Sequence, residues 1–456
     1  MQKTLKSHGT WVGKWTFVLA ATGSAVGLGN IWGFPYKAGT EGGGAFVLIY
    51  LLCIILIGLP IMLSEILIGR RSGNSPINSM KRSAIDSGVS SKWQGVGWIG
   101  ILAGILILSF YSVIAGICLK YIFVSASSNE PDTTGQFLGI VNSPKELMLW
   151  HTIFMGLTMI IVSAGIKKGI GRMVKILMPM LGLLLIFMVA YGIINGAFHE
   201  ALSFLFKPDF TKVTSDTFLV AMGQAFFSLS LGMGSIMAYG AYMSKEQDIV
   251  TTSYSVGALD TLVAIMAGLA VFPIIFAIQG LEASGGPGLV FISLQTAFNT
   301  MDFGYIIGPI FFILLSVAAL SSSISILEPG VAYLSEEGHL SRKKSALIIS
   351  LICWLIGIGT ALGFDKDGNN IFQANMELVS TQIMQPLGGM LIAIFIGWFM
   401  KESLIKNELG EINHTVYKIW RTFIKFIAPI GVWCVLISFL ADILLSTFMI
   451  EFIRSH

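Results

Sequence analysis

The sequence predicts an all-α polytopic membrane protein of eleven transmembrane helices, and three observations carry that expectation. First, 54% of its 456 residues are hydrophobic and only 12% are charged, about half the charged share of a typical soluble domain. Second, the apolar runs reach the roughly 20 residues that a spanning helix needs, and they lack the short alternation of a membrane β-barrel. Third, two runs are interrupted near their middle by glycines with small polar neighbours: GSAVGLGN at 23–30 and SLSLGMGS at 228–235.

In chain order the spans are expected at about 15–38, 44–68, 95–124, 148–166, 172–197, 217–243, 253–280, 305–335, 343–363, 373–400 and 421–447. Span one holds the first interruption. Span two closes on Arg70 and Arg71, and the loop behind it adds Lys81 and Arg82. Lys167, Lys168, Arg172 and Lys175 separate spans four and five, and Arg342, Lys343 and Lys344 separate eight from nine. With the N-terminus inside, cytoplasmic segments take 21 of the 28 Lys and Arg and the outer half takes 7, the bias that orients membrane proteins. The odd count then leaves the C-terminus outside. The net charge of +3 reflects this topology and gives no sign of nucleic-acid binding. Cys53, Cys118, Cys353 and Cys434 all fall in spans and read as small buried apolar residues rather than a disulfide or metal framework. No cleavable signal peptide is expected, because the first run is too long.

The expected organisation is a cytoplasmic tail (1–14), a first repeat (15–197), an extracellular linker (198–216) and a second repeat (217–400). A last part (401–456) holds a cytoplasmic loop, span eleven and a short outer C-terminus. Within the second repeat, 281–304 reads as an outer lid-like segment, since GGPGLVFISLQTAFNTM opens on a Gly-Pro turn and is too short to cross. Five spans separate the two interruptions, so the two halves insert with opposite topology. Glycine destabilises a helix interior by about 0.5–1 kcal/mol, and glycines in membrane helices often serve packing alone. Two interruptions at matching positions of inverted halves point instead to a binding site. Unwinding there frees carbonyls for a small cation and N–H groups for an anion, provided that a protein-lined cavity covers them.

The motifs GSAVGLGNIWGFPY, GGGAFVLIY, SEILIGRR, GQAFFSLSLGMG, SKEQDIV, ALSSSISILEP and PLGGMLIAIFIGW, in that order, resemble the neurotransmitter:sodium symporter family over nearly the whole chain. The resemblance implies the LeuT fold, a 5+5 inverted repeat with helices 1 and 6 broken. It also implies a bacterial inner-membrane symporter, monomeric or weakly dimeric, that carries an amino acid with sodium. It implies one sodium site from Ala25, Asn30, Ser228 and Asp260 together with the substrate carboxylate. A second would use Gly23, Val26, Ala318, Ser321 and Ser322. All of these supply oxygen, as a hard cation requires. Substrate would lie between the breaks, its carboxylate held by N–H groups around Leu28 and Gly29 and by the Tyr111 hydroxyl, its ammonium by carbonyls near Ala25, Phe227 and Ser228. Ser24, Ile107, Phe227, Ser230, Met233, Ser322, Ser323 and Ile326 would complete the pocket. Gly27 stands where amine-carrying relatives have aspartate, which favours a substrate bringing its own carboxylate, a neutral α-amino acid with an aliphatic, sulfur-containing or aromatic side chain. Other zwitterions, such as a β- or γ-amino acid or taurine, and proton or single-sodium coupling remain the alternatives.

Charged residues inside a membrane mark function. Asp260 replaces the asparagine common in relatives, so transport is expected not to require chloride. Glu377 matches an outer-gate acid whose arginine partner is Gly33 here; Lys37, one turn outward, is the expected substitute. Trp11, Tyr242, Glu328 and Glu336 match an inner gate whose tail cation would be His8 or Lys6. Glu65 resembles the glutamate that supports the second break, and Gly169 with Pro179 resembles a pair that lets span five unwind. The chain is not expected to be an enzyme: His8, His151, His199, His339, His414 and His456 read as lying in tails, loops or span ends, away from any nucleophile. A channel is disfavoured because no charged rings recur along a pore.

Overall fold

The long apolar runs become helices because lipid offers their backbone groups no alternative partner. The computed structural model describes residues 11, 13–127, 131–278, 288–338, 340–438 and 441; expectations for residues 1–10, 12, 128–130, 279–287, His339, 439–440 and 442–456 lie outside them. Among the described residues nine continuous helices are long and apolar enough to cross a bilayer: α3 (Gly44–Ser72), α5 (Ser91–Ser127), α7 (Pro144–Ser163), α8 (Ile166–Asn195), α12 (Ile249–Phe276), α14 (Gly304–Glu337), α15 (Arg342–Leu362), α16 (Ile371–Phe399) and α18 (His414–Ser438). A tenth is the pair ending at Ala25 and resuming at Gly29, bent by 52°. We label its halves α1 (Lys14–Ala25) and α2 (Gly29–Thr40). The remaining run is in two pieces, α10 (Ser215–Ser228) and α11 (Ser235–Ala241), neither long enough to cross alone.

Short helices fill connections that the sequence presents as loops: α4 (Pro76–Asp86), α6 (Thr133–Val141), α9 (Phe198–Phe206) and α17 (Glu402–Leu409). They run only 8 to 11 residues, too short for an apolar-run criterion to detect. Two have clear end signals, Pro76 in the first turn of α4 and the Asp132 side chain capping Gly135 N–H at 2.8 Å in α6. Within the stretch 281–304, the described residues include one short apolar helix, α13 (Leu289–Thr300).

The two longest helices, α5 and α14, lie against each other, and α1 packs among α8, α12 and α14. This wedges the first break into the centre of the bundle. The α11 half packs along α3, where Gly69 and Gly240 allow the backbones to approach closely. Near that end, Glu408 of α17 is buried between Arg70 (2.6 Å) and Lys245 (2.6 Å), tying α3, the α11–α12 connection and α17 together.

Two sequence expectations change here. Cys53, Cys118 and Cys353 are buried, but Cys434 is exposed, because α18 lies at the bundle edge with only 22% of its apolar window buried. His151 does not sit at a span end. Its helix begins at Pro144, two turns earlier, and its ring is fully buried between Ser112 Oγ (3.1 Å) and the Trp354 carbonyl (3.2 Å).

Candidate functional site

The site grows from the backbone groups that the breaks release. Helix α1 ends at Ala25, and Val26 turns to an extended conformation. The second break covers 229–234, where Ser230, Gly232 and Gly234 adopt φ of 53°, 72° and 77°. Ser230 is the costly one, since a residue with a Cβ rarely enters this region. Its hydroxyl donates to the Ser24 carbonyl at 2.8 Å, a contact that joins one break to the other.

Several of the freed groups have side-chain partners, as burial requires. In the first break Gly27 N–H donates to Asn30 Oδ1 (3.1 Å) and Leu28 N–H to the Tyr111 hydroxyl (3.4 Å). The Val26 carbonyl accepts from Ser322 (3.1 Å) and the Gly29 carbonyl from Gln224 (2.6 Å). In the second, Gly232 N–H donates to Glu65 (2.8 Å) and the Leu231 carbonyl accepts from Gln385 (3.1 Å). These are the groups a protein must supply to keep an unwound helix out of contact with lipid.

Two oxygen clusters result. Asn30 Nδ2 reaches Ser228 Oγ (3.0 Å) and Asp260 Oδ1 (2.7 Å), and the Ser228 hydroxyl donates to Asp260 Oδ2 (2.7 Å). Tyr50 of α3 joins them with its hydroxyl on Ser228 (3.1 Å). All four are fully buried, so this cluster holds one buried carboxylate, that of Asp260. The second cluster lies across the break. Ser321 Oγ contacts the carbonyls of Ala318 (2.9 Å) and Val26 (3.4 Å), and Ser322 Oγ contacts those of Val26 and Ser24 (3.3 Å). Gly23 packs close to Met178 and Ser321: an added Cβ there would stand 2.8 Å from Met178 Sδ and 3.6 Å from Ser321 Cβ. Ala25 closes α1 between the clusters.

The residues expected around a substrate are in part assembled here. Phe227 lies against Gly29 so closely that a Cβ there would come within 2.7 Å of its ring. Ile107, Tyr111, Met233 and Ile326 are buried, and Ile326 packs over Gly104 of α5. The Ser24 hydroxyl is buried with no hydrogen-bond partner. A side chain at Gly27 would displace its neighbours: an added Cβ would collide with Ser322 Oγ and stand 3.2 Å from the Tyr111 hydroxyl. Ser323 turns elsewhere, pairing with Thr158 of α7 (2.8 Å).

The two ends differ from expectation in their partners. Lys37 donates to Gln224 Oε1 at 2.9 Å, while Glu377 is exposed and forms no ion pair among the described residues. Gln224 occupies the space above Gly33, its Oε1 3.4 Å from where a Cβ would be. At the other end Trp11 is buried, its indole donating to the Tyr239 carbonyl (3.1 Å) and its N–H to that of Tyr242 (3.1 Å). The Tyr242 hydroxyl donates to Glu328 (2.6 Å). The cation on Glu328 is Arg342, the first residue of α15; His8 and Lys6 lie outside the described residues. Glu336 is taken by the N-terminus of α4, through Ser75 N–H (2.9 Å), the Ser75 hydroxyl and Asn78 (2.9 Å), the helix end that favours an anion. Gly169 lies in a π-helical turn opening α8 and Pro179 inside it, and α8 is continuous through both.

Tyr50, Gln224, Gln385, Ser75 and Arg342 thus contact the candidate residues, and the sequence alone does not single them out. Gln224 and Gln385 sit inside quoted or neighbouring motifs, GQAFF and QPLGG, and a buried amide in an apolar helix was the available signal.

The profile of the sodium:neurotransmitter symporter family matches residues 8–138 and 136–450. An uncharacterized sodium-dependent transporter of Bacillus subtilis, YhdH, is 35% identical over 94% of this chain and 97% of its own. One from Haemophilus influenzae is 34% identical over 95% and 98%. The crystal structure of MhsT in complex with L-phenylalanine superposes with a TM-score of 0.87 at 43% identity, covering 94% of this chain and 99% of that one.

Proposed function

This chain belongs to the sodium:neurotransmitter symporter family, and from that premise we propose that it imports a neutral L-α-amino acid, with two sodium ions, by alternating access. It is a sodium-dependent symporter of the LeuT fold, not an enzyme. The observation that carries the finer reading is the pairing of Leu28 N–H and the Tyr111 hydroxyl (3.4 Å) beside a glycine, Gly27, which supplies no side-chain anion. Such a site recognises a carboxylate that the substrate itself brings. Aromatic side chains belong in the proposed class because the MhsT crystals contain L-phenylalanine and the pocket walls here are Phe227, Ile107, Met233 and Ile326.

In this reading Asn30, Ser228 and Asp260 hold one sodium next to the substrate carboxylate, and Val26, Ala318, Ser321 and Ser322 hold the other with Gly23. Asp260 supplies a fixed negative charge, so chloride is not needed. The halves α10 and α11 together make one interrupted span, the sixth in chain order, which brings the count to eleven. The charge bias supports an inner-membrane protein with its N-terminus inside. The Trp11–Tyr242–Glu328–Arg342 network and the separate Lys37 and Glu377 support a conformation closed toward the cytoplasm. Each sodium falling through about 100 mV contributes ~2.3 kcal/mol, and a tenfold gradient adds ~1.4. Two ions thus allow accumulation up to about five orders of magnitude.

Uptake into proteoliposomes tests this reading. Neutral amino acids should accumulate only under an inward sodium gradient, with net positive charge entering. Accumulation driven by a proton gradient in the absence of sodium would overturn it.

A further inference from the structure

Beside the Trp11 end of the bundle lies a cavity of about 530 Å³, lined by Trp11, Lys167, Lys168, Arg172 and Lys175. Four cations converge on one concave space. None of them forms an ion pair among the described residues, and the tail preceding Trp11 contains Lys3 and Lys6 but no acid to neutralise them. Topological bias explains positive charge in this loop, but does not require the charges to share a cavity.

The surface above the cavity indicates what fills it. Lys168, Arg172, Lys175, Ile176, Pro179, Leu183, Ile186 and Phe187 of α8 are all exposed, and at 3.6 residues per turn those from 172 onward fall on one stripe. The stripe is cationic for its first turns and apolar afterwards. Its apolar part, from Ile176 to Phe187, rises by roughly 16 Å at 1.5 Å per residue, about the ~15 Å depth of one leaflet's hydrocarbon.

We propose that this cavity and stripe form a binding site for an anionic phospholipid, its phosphate held by Lys168, Arg172 and Lys175 and its acyl chains lying along the exposed face of α8. A free phosphate shares the headgroup chemistry but has no use for the apolar stripe. The assignment to the inner leaflet rests on the orientation proposed above; the site itself does not depend on the transported substrate. Because Trp11 forms one wall, the bound lipid would touch the segment that latches this end of the bundle.

Native mass spectrometry of the purified full chain, titrated with phosphatidylglycerol or phosphatidylcholine, tests the site. Wild-type protein should retain phosphatidylglycerol in preference. Lys168→Gln/Arg172→Gln/Lys175→Gln should weaken that binding on the order of a hundredfold, and Arg172→Gln alone about fivefold, from the usual strength of a basic residue near an anionic surface. Lys343→Gln/Lys344→Gln, exposed charges elsewhere at the same end, should leave it unchanged. Equal retention of both lipids, or full retention by both cavity variants, would overturn the proposal; displacement by excess inorganic phosphate would overturn the lipid as occupant. Sodium-dependent substrate binding, measured on the same samples, reads the transport site separately, so failure of either assignment is recognisable.

Discussion

Arg342 grips Glu328 with both terminal nitrogens of its guanidinium, and the same carboxylate, fully buried, accepts the Tyr242 hydroxyl at 2.6 Å. The end of α11 is therefore fastened to the consecutive helices α14 and α15, 86 positions further along the chain, at one charged point near Trp11. Leaving one member of a buried pair without its partner costs about 3–5 kcal/mol. Arg342→Met should lower the melting temperature and abolish uptake, and adding Glu328→Gln to it should restore part of both. If the double variant is no better than Arg342→Met in thermal unfolding and uptake, the pair is not a latch.

Asp260 places a carboxylate against Asn30 and Ser228 and forms no ion pair among the described residues. In the proposed function that charge balances a sodium ion. Wild-type uptake should persist when chloride is replaced by gluconate. Asp260→Asn, which keeps the shape but removes the charge, should raise the sodium concentration for half-maximal uptake at least ~10-fold, the effect of about 1.4 kcal/mol. Loss of wild-type uptake in gluconate would refute the charge argument.

Lys37 reaches Gln224, and Gln224 in turn holds the Gly29 carbonyl of the first break. Gln224→Leu should leave that carbonyl buried and unsatisfied, costing about 1–3 kcal/mol and reducing substrate affinity by roughly ten- to a hundredfold. The gate role of Lys37 has its own test. If Lys37 closes onto Glu377 during transport, Lys37→Glu with Glu377→Lys should recover uptake that each single change loses. Failure to recover would confine Lys37 to its contact with Gln224.

Gly27 is closed in by Ser322 and Tyr111. Gly27→Ala should displace the Tyr111 hydroxyl from Leu28 N–H and cut amino-acid affinity by more than ~10-fold while the protein still folds, as size-exclusion profile and melting temperature would record. Unchanged affinity would remove Leu28 and Tyr111 from the carboxylate site.

How much of this was legible in the sequence depends on the range of the physics involved. The two breaks were legible because glycine and small polar residues within eight positions announce them, and the long spans because composition alone fixes them. Helices α4, α6, α9 and α17 were not, since short amphipathic turns carry little apolar signal. Glu65 is marked by resemblance; Gln385, its counterpart on the Leu231 carbonyl, carries only the local signal of an amide in an apolar helix, which does not name a partner 154 positions away. Arg342 was hidden differently. It reads as one of three topological charges, Arg342, Lys343 and Lys344, and only the fold reveals that its side chain turns inward to Glu328 while the other two stay exposed.

The central claim is that the interruptions at 26–28 and 229–234 face each other and offer oxygen to sodium and N–H to a carboxylate. A thermal-shift screen of the neutral amino acids, with sodium and with potassium in its place, tests it most directly. Stabilisation by at least one amino acid in sodium, absent in potassium, is the predicted result. Equal stabilisation in both salts would contradict it.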